Sequence, residues 1–403
     1  MADDSTSNTN QSSAEAVANN DDLLNQILVG LPIRSLLQFK SVSKHWLSLI
    51  THPHFAGRRT PNLESSGLFV ECYSKPLLIP GFDFIPFNNL NPTKPPFTTH
   101  PTFVGDPFGI RNFQSCNGLL LCDGRHLYIY NPTTNQFTTT PEPPTHRART
   151  TVNWFNFVCY SSLAFDPSKS PHYKVVSVYS SKTLSEHYDV EIFSSETGLW
   201  TPSSTNPLRA DNVNFKNGVF WNGALHWIGF WDDDSLYLNI EEDRFGTLPT
   251  PPTPDRRDWK RRRDFWESRG HLHLIDIYGS QTKQFNVYEM GSDYSAWFVK
   301  YRVDLDAIPN AFPEMVCNSL GCYDFFVLSL IRRENDDESF LVLHIPGKIV
   351  RYNFQDNSFS TVLDFPPSHK KFRIGCLDDA FEYVSGLCLK MFPAQNRWES
   401  PVF

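Results

Sequence analysis

The amino-acid sequence predicts a mainly β protein with a small α-helical module at its N-terminal end. Apolar residues recur with helical spacing only over residues 21–55, and from about Gly67 onward they alternate as they do in β-strands. The 403 residues include 33 Phe, 10 Trp and 30 Pro. This composition favours strands broken by turns, because aromatic side chains suit a half-buried pleated surface and proline ends regular structure. The length fits one small and one large domain.

Residues 1–20 are acidic, polar or small and lack the apolar segment of a signal peptide, so we expect a disordered tail. No apolar run approaches the roughly 20 residues that a membrane-spanning helix needs. The eight cysteines are spread over the whole length, as in an intracellular protein with reduced thiols. We therefore expect a soluble protein of the nucleus, the cytoplasm or both, without a membrane partner. The net charge of -8 gives no electrostatic reason to expect a nucleic-acid partner.

The pattern of the N-terminal module predicts three short helices. The first begins at the acidic pair Asp21 and Asp22 and ends before Pro32, which can open the second helix. Ser41 or Ser43 can cap the third helix. The apolar positions are Leu24, Ile27, Leu28 and Leu31 in the first helix, Ile33, Leu36, Leu37 and Phe39 in the second, and Trp46, Leu47, Leu49 and Ile50 in the third. So small a bundle has too little interior for all of these side chains, and the excess indicates a partner surface.

The segment Asp21–Phe55 resembles an F-box, in particular the plant type with a Leu-Pro-x-x-Ser-Leu core and a Val-Ser-Lys-x-Trp third helix. The resemblance implies a domain over residues 21–60 that binds a Skp-family adaptor and, through it, a cullin. It assigns these residues to the adaptor-binding face, to its support or to the packing of the third helix: Leu23, Leu24, Ile27, Leu28, Leu31, Pro32, Leu36, Leu37, Val42, Ser43 and Trp46. One departure is that Asn19 and Asn20 stand where the family usually has Leu-Pro. The alternative is a helical cap that packs its leucines on the protein's own β domain.

A repeated unit runs through the rest of the chain: a short apolar strand, a polar turn, an aromatic residue and a proline-containing exit. Units begin at Leu127, Val190, Leu236, Phe285 and Ile349, with the aromatic anchors Phe137, Trp200, Phe245, Trp297 and Phe359. Each unit leaves one sheet face in need of a neighbour. Repetition around an axis supplies that neighbour, so the pattern favours the four-stranded blades of a β-propeller.

Three strand phrases in this region are similar to those of the plant F-box-associated domain. They are Cys116–Leu120, Tyr173–Val176 and Asn222–Trp227. The resemblance implies an irregular, kelch-like β-propeller over residues 61–403 that holds a protein client. The chain contains no Gly-Gly pair, and its single Trp231-Asp232 is no evidence for a WD-type array.

The sequence predicts no catalytic residue, metal or cofactor. It contains no glycine-rich phosphate loop, nucleophile elbow or HExxH motif. Cys317, Cys322, His271 and His273 could be imagined as a zinc site, but no second pair with ligand spacing accompanies the two cysteines. The segment 194–200 faintly resembles an Asp-box turn, and a hairpin with Gly198 at positive φ explains it without chemistry.

The strongest charge feature is the run Arg256–Trp266. We interpret it first as a solvated loop between blades, then as a nuclear import signal, and last as a nucleic-acid contact. Its candidate client-binding residues are Arg256, Arg257, Trp259, Arg261, Arg262 and Arg263.

These features together predict a non-catalytic substrate receptor of an SCF-type ubiquitin ligase, in which the head binds the adaptor and the β domain binds a client. A non-degradative scaffold with weak adaptor binding is the first alternative, because of Asn19 and Asn20. A propeller hydrolase with an unrelated helical cap is the second, and the missing catalytic motifs count against it.

Overall fold

The computed structural model describes residues 17, 20–31, 33–52, 55, 65–72, 81–87, 110, 112–131, 136–144, 159–180, 187–230, 235–252, 262–279, 281–317, 321–364 and 380–384. Three helices come first, as the apolar spacing predicts: α1 (Asp21–Val29), α2 (Ile33–Phe39) and α3 (Lys44–Thr51). Their shared core consists of Leu24, Leu28, Leu36, Ile50 and Phe55, each at most 2% exposed. This head therefore has a small interior of its own.

Side-chain caps define where two of the head helices begin. Asn20 Oδ1 accepts hydrogen bonds from the backbone N–H groups of Asp22 and Leu23, both at 3.1 Å. Of the two serines predicted to cap α3, Ser43 does so, and its Oγ accepts from the N–H of Trp46 at 3.1 Å. Each cap satisfies donors that a helix leaves unpaired at its first turn.

Five antiparallel sheets, each with four strands in chain order, form the described part of the β domain, and we call them blades 1 to 5. Blade 1 contains β3 (Asn112–Cys116), β4 (Leu119–Asp123), β5 (Leu127–Asn131) and β6 (Gln136–Thr139). Blade 2 contains β7 (Cys159–Ala164), β8 (Lys174–Ser180), β9 (His187–Ser194) and β10 (Leu199–Pro202), with β11 (Leu208–Arg209) also pairing to β9. Blade 3 contains β12 (Val213–Trp221), β13 (Ala224–Gly229), β14 (Leu236–Asn239) and β15 (Arg244–Thr247).

Blade 4 contains β16 (Arg262–Ser268), β17 (His271–Ile277), β18 (Gln284–Met290) and β19 (Trp297–Asp304). The helix α4 (Ile308–Ala311) and a two-stranded sheet of β20 (Val316–Cys317) and β21 (Cys322–Tyr323) follow it. Blade 5 contains β22 (Phe326–Ile331), β23 (Phe340–Ile345), β24 (Lys348–Asn353) and β25 (Phe359–Asp364). A further sheet joins β1 (Ser65–Cys72) to β2 (Gly81–Pro86) on one side and to β26 (Ala380–Val384) on the other.

The first strand of each blade lies innermost, and these strands contact one another around a ring. β3 contacts β7, β7 contacts β12, β12 contacts β16, and β16 contacts β22. β26 contacts both β22 and β3, and it carries β1 and β2 outside it. The ring is therefore closed by strands from the two ends of the β domain, and the predicted propeller is confirmed.

The repeated units found in the sequence are the third and fourth strands of the five blades. All five aromatic anchors lie on the outermost strands β6, β10, β15, β19 and β25. Two of these anchors bond to the proline-containing segment that follows an outer strand. Trp200 Nε1 donates to the carbonyl of Pro141 at 2.8 Å, and Trp297 Nε1 donates to that of Pro249 at 2.9 Å. In both cases an outer strand is held by the segment that leaves the preceding blade.

Gln114 of β3 links three blades near the centre of the ring. Its Oε1 accepts from the N–H of Leu163 in blade 2 at 2.7 Å, and its Nε2 donates to the carbonyl of Gly218 in blade 3. A Cβ at Gly218 would lie 2.5 Å from Ser162 Oγ and 2.6 Å from Trp227 Nε1. Glycine at this position therefore permits the close approach of blades 2 and 3.

The prediction of one solvated loop over the basic run is wrong for its last five residues, 262–266, which belong to β16, the innermost strand of blade 4. Arg262 is partly buried, donates from Nη1 to the carbonyl of Phe325, and lies 4.6 Å from the centroid of the Phe325 ring. Arg263 donates to the carbonyl of Gly229 at 3.1 Å and pairs with Asp276 at 3.5 Å, with side chains 4% and 0% exposed. Charge along the sequence does not reveal that these two guanidinium groups join blades. Arg256, Arg257, Trp259 and Arg261 lie outside the described residues.

Replacing Gly218 with alanine should lower the free energy of unfolding by about 1 to 3 kcal/mol, because an added methyl group must displace Ser162 and Trp227. Gly198→Ala is the matched control: Gly198 has φ of +71° and no atom within 4 Å of an added Cβ. It should cost only about 1 kcal/mol of backbone strain. Denaturant unfolding of the full chain measures both variants. Equal losses would show that crowding at Gly218 does not limit the packing of the two blades.

Replacing Arg263 with serine should destabilise the propeller by about 3 kcal/mol, because it leaves the buried Asp276 carboxylate without its ion-pair partner. Adding Asp276→Asn should restore part of the loss, since a neutral amide is cheaper to bury than an unpaired charge. Arg209→Ser is the control, because the Arg209 side chain is 69% exposed and 3.6 Å from Asp211. Thermal unfolding of the three variants and the parent checks this. An unchanged melting temperature for Arg263→Ser would contradict the structural assignment.

Candidate functional site

The helical head exposes an unusual amount of apolar surface for its size. Eight large hydrophobic side chains are exposed among the residues that the structure describes, and four of them lie in the head. They are Leu23 at 43%, Ile27 at 51%, Val42 at 57% and Leu47 at 38%. Apolar exposure concentrated on so small a module is characteristic of a protein-binding surface.

The structure divides the predicted adaptor-binding residues into a supporting core and an exposed face. Leu24, Leu28 and Leu36 are buried in the head, so they can support the face but are not part of its exposed surface. The physical reason is that α1 packs on α3 through the side of the helix that carries positions 24 and 28. Leu23 and Ile27, one turn apart, therefore form the exposed side.

The other residues that the resemblance assigns to the head lie at the edge of its core, in the helix cap or in the turn before it. Leu31 and Trp46 are partly buried against the head core, where Trp46 meets Phe39 edge to face at a centroid distance of 5.3 Å. Ser43 serves as the cap of α3. Val42 lies in the turn just before that cap, and its side chain is exposed. Pro32 and the side chain of Leu37 lie outside the described residues.

Leu47 was missing from the predicted face, although the sequence contains a signal for it. In α3 two neighbouring apolar pairs, Trp46-Leu47 and Leu49-Ile50, follow one another. Adjacent positions on a helix are about 100° apart, so one member of a pair points away when the other is buried. In the first pair Trp46 is partly buried against the head core, whereas Leu47 is 38% exposed.

Asn20, which stands where the family usually has proline, has a structural role of its own as a helix cap. Its side chain caps α1, the helix that presents Leu23 and Ile27. The residue therefore supports the geometry of the exposed face, whether or not an apolar contact is missing at that point.

His271 and His273, considered as zinc ligands from the sequence, contact a carboxylate. His271 Nδ1 donates to Glu289 Oε1 at 2.9 Å, and His273 Nε2 lies 3.5 Å from Glu289 Oε2. Arg332 of blade 5 donates to the same Oε2 at 2.9 Å. Burial favours a raised pKa for Glu289, but the contacts with both histidines and the charge of Arg332 outweigh it and hold this pKa well below its ordinary value. No group of three or more side chains suited to hold a metal ion occurs in the described part of the chain.

His226, in the Asn222–Trp227 phrase, is also a structural residue. Its Nδ1 and Nε2 lie 3.1 Å from the carbonyl oxygen of Val219 and from the hydroxyl oxygen of Tyr294 in the turn before β19. Burial lowers the pKa of His226 to about 4. It is therefore neutral near pH 7 and has both ring nitrogens engaged, which leaves it no role as a general base.

None of the described helices is long and apolar enough to cross a membrane.

Comparisons with known proteins match both parts of the chain. A family profile described as the F-box domain matches residues 20–56, and one described as the F-box associated beta propeller domain matches residues 87–261. The chain is 38% identical over 390 residues to "F-box protein At5g07610" of Arabidopsis thaliana, with 88% of this chain and 87% of that protein covered. It is 30% identical over 273 residues to "F-box protein At5g03970" of the same species, with 61% of each chain covered.

Among solved structures, the oligogalacturonate lyase complex with manganese aligns with a TM-score of 0.38 and 9% identity, covering 73% of this chain and 74% of that chain. The level of this likeness supports no argument about function. The helical head, the ring of blades and the extended match to the Arabidopsis protein lead to one conclusion. The chain belongs to the F-box protein family and combines an F-box with an F-box-associated β-propeller domain.

Proposed function

We propose that this chain is the substrate-recognition subunit of an SCF-type ubiquitin ligase. In this proposal the F-box, over residues 21–60, binds a Skp-family adaptor and through it a cullin. The propeller, over residues 61–403, binds a protein client. The observation that carries the proposal is the exposed apolar face of the head, with Leu23, Ile27, Val42 and Leu47 outside a core that is already filled.

The head is suited to this role because its fold and its surface depend on different residues. Leu24, Leu28 and Leu36 hold the helices together. The four exposed side chains make little contribution to that core, so a partner that covers them gains apolar burial at about 25 cal/mol per Å² without refolding the module. Aromatic or aliphatic partner residues would therefore bind this face.

In this proposal the chain performs no covalent chemistry of its own. A receptor that holds adaptor and client together raises the effective concentration of the client near a separate conjugating enzyme, and proximity alone accelerates transfer. The histidines described above support this view, since His226 and His273 are buried in contacts within and between blades. A scaffold that binds the adaptor weakly would share the fold and differ in the dissociation constant. We also propose the nucleus or the cytoplasm as the site of action.

Replacing Leu23 and Ile27 with alanine should weaken binding of a purified Skp-family adaptor about a hundredfold, since each truncated apolar side chain at an interface centre costs about 1 to 2 kcal/mol. Calorimetry with the full chain measures the dissociation constant. The melting profile should not change, because both side chains are exposed.

Leu28→Ala is the matched control on the same helix. Leu28 is fully buried, so its truncation should destabilise the head by about 2 to 5 kcal/mol. Undiminished adaptor binding by the Leu23→Ala, Ile27→Ala variant would refute the adaptor-binding face. A parent chain that binds the adaptor only weakly would favour the scaffold.

A further inference from the structure

The outer half of blade 4 contains a pocket of about 460 Å³ that no contact within the described chain fills. Its wall is formed by residues of β17, β18 and β19, with Asn357 of blade 5 at one side. The residues that decide its chemistry are Asp276, Tyr278, Asn286, Tyr288, Arg302 and Asp304. A cavity of this volume accommodates one or two side chains of a bound protein segment.

A polar row crosses blade 4 from its innermost to its outermost strand and ends in the pocket. In the strand register Arg263 pairs with Asp276, Asp276 with Asn286, and Asn286 with Arg302. Residues directly opposite one another in neighbouring strands point to the same face of a sheet. The four side chains therefore form one line, with Arg263 buried at the inner end and Arg302 exposed at the outer end.

Each charged side chain that lines this pocket, except Arg302, has a hydrogen-bond or ion-pair partner among the described residues. Asp276 pairs with Arg263 at 3.5 Å and accepts from the hydroxyl of Tyr278 at 3.1 Å. Asp304 accepts from Gln284 Nε2 at 3.0 Å and from the backbone N–H of Asp306 at 2.9 Å. Apart from the backbone pairing of its strand, the Arg302 side chain has no hydrogen bond or ion pair with any residue that the structure describes. An unpaired guanidinium at the mouth of a pocket is suited to a carboxylate.

A β-bulge gives this guanidinium an apolar neighbour. Val299 is opposite Tyr288, whereas Tyr301 is opposite Val287, so Lys300 is an extra residue in β19. Without the bulge, positions 299 and 302 would point to opposite faces of the strand; with it, both share the face of Tyr288 and Asn286. Lys300 itself pairs with Asp336 of blade 5.

The strand that carries these residues is also open to a partner. β19 has eight residues and pairs only with β18 among the described strands, whereas the outermost strands of blades 1, 2 and 3 have four residues each. Phe298 is 47% exposed and Val299 is 39% exposed. A long outer edge with apolar exposure is a surface on which an extended segment can dock.

We propose that this outer surface of blade 4 is the client-recognition site and that it binds an extended acidic segment, with an Asp or Glu side chain at Arg302 and an apolar side chain at Val299. The assignment rests on the proposed receptor function and adds the chemistry of the client. Charge complementarity selects an acidic occupant. Among the charged side chains that line the pocket, only that of Arg302 lacks a hydrogen-bond or ion-pair partner among the described residues. A basic segment would place like charges together at the pocket mouth, which is unfavourable.

The test uses the full chain and an array of twelve-residue peptides. Each peptide contains one valine and one variable residue two to four positions away, and the variable residue is Glu, Gln, Lys or phosphoserine. We expect the Glu series to bind at least fivefold more tightly than the Gln series. Arg302→Glu should abolish that preference and transfer it to the Lys series, while Val299→Ser should weaken binding of all series by removing the apolar contact.

Arg209→Glu is the control, since it reverses an exposed charge on blade 2. Its peptide preference and the melting temperatures of all the exposed-charge variants should match those of the parent, because exposed charges contribute little to folding. Equal binding of the Glu and Gln series, or no change in Arg302→Glu, would overturn the proposal. A preference for phosphoserine over Glu would overturn the assignment of a carboxylate.

An adaptor titration on the same preparations separates this proposal from the receptor function. Loss of peptide selectivity with intact adaptor binding counts against the blade 4 site alone. Failure of the parent chain to bind the adaptor counts against the receptor function alone.

Discussion

Face-to-face packing between neighbouring blades is the interaction on which the rest of the structure depends. A four-stranded sheet with apolar residues on both faces cannot be stable alone, and each blade covers its faces with those of its two neighbours. Val190 of blade 2 belongs to one buried cluster with Leu225 of blade 3, and Val287 of blade 4 belongs to another with Leu341 of blade 5. Because every blade needs both neighbours, the ring must close. The pairing of β1 with β26 meets this requirement.

Polar links set how the blades meet, since apolar packing is not directional. Asn117 Nδ2 donates to the carbonyl of Phe165 at 2.7 Å, Lys174 Nζ to that of Ile240 at 3.0 Å, and Asn222 Nδ2 to that of Ser292 at 3.1 Å. Each donor comes from one of the three phrases that resemble the F-box-associated domain, and each acceptor belongs to the next blade. These phrases therefore help to set the orientation of neighbouring blades.

The sequence was sufficient to predict the propeller but not the fine division of its surfaces. The repeated units and their aromatic anchors correspond to the outer strands because turns and strand period are local properties. Burial depends on contacts between distant segments. Leu24 and Ile27 lie on the same apolar stripe of α1, yet packing against α3 buries Leu24 and leaves Ile27 exposed. The prediction for Arg262 and Arg263 failed for the same reason, because Phe325 lies just before β22 and Asp276 lies in β17, both distant from the basic run in sequence.

The bulge at Lys300 was beyond sequence reasoning as well. A strand pattern with period two places Val299 and Arg302 on opposite faces, and only the register with β18 reveals the extra residue.

The two surfaces proposed to bind partners are those that packing within the ring and within the head leaves exposed. The inner strands of each blade pair on both sides or line the ring, and Gln114 and Gly218 show how little space remains there. An outermost strand has one edge without a strand partner, so its exposed residues can change without disturbing the neighbouring blades. The same separation holds in the head, where a filled core supports a face of different residues. Under the proposed function, the chain could change its client through Val299 and Arg302 while keeping its adaptor through Leu23 and Ile27, because neither pair contributes a buried side chain to the fold.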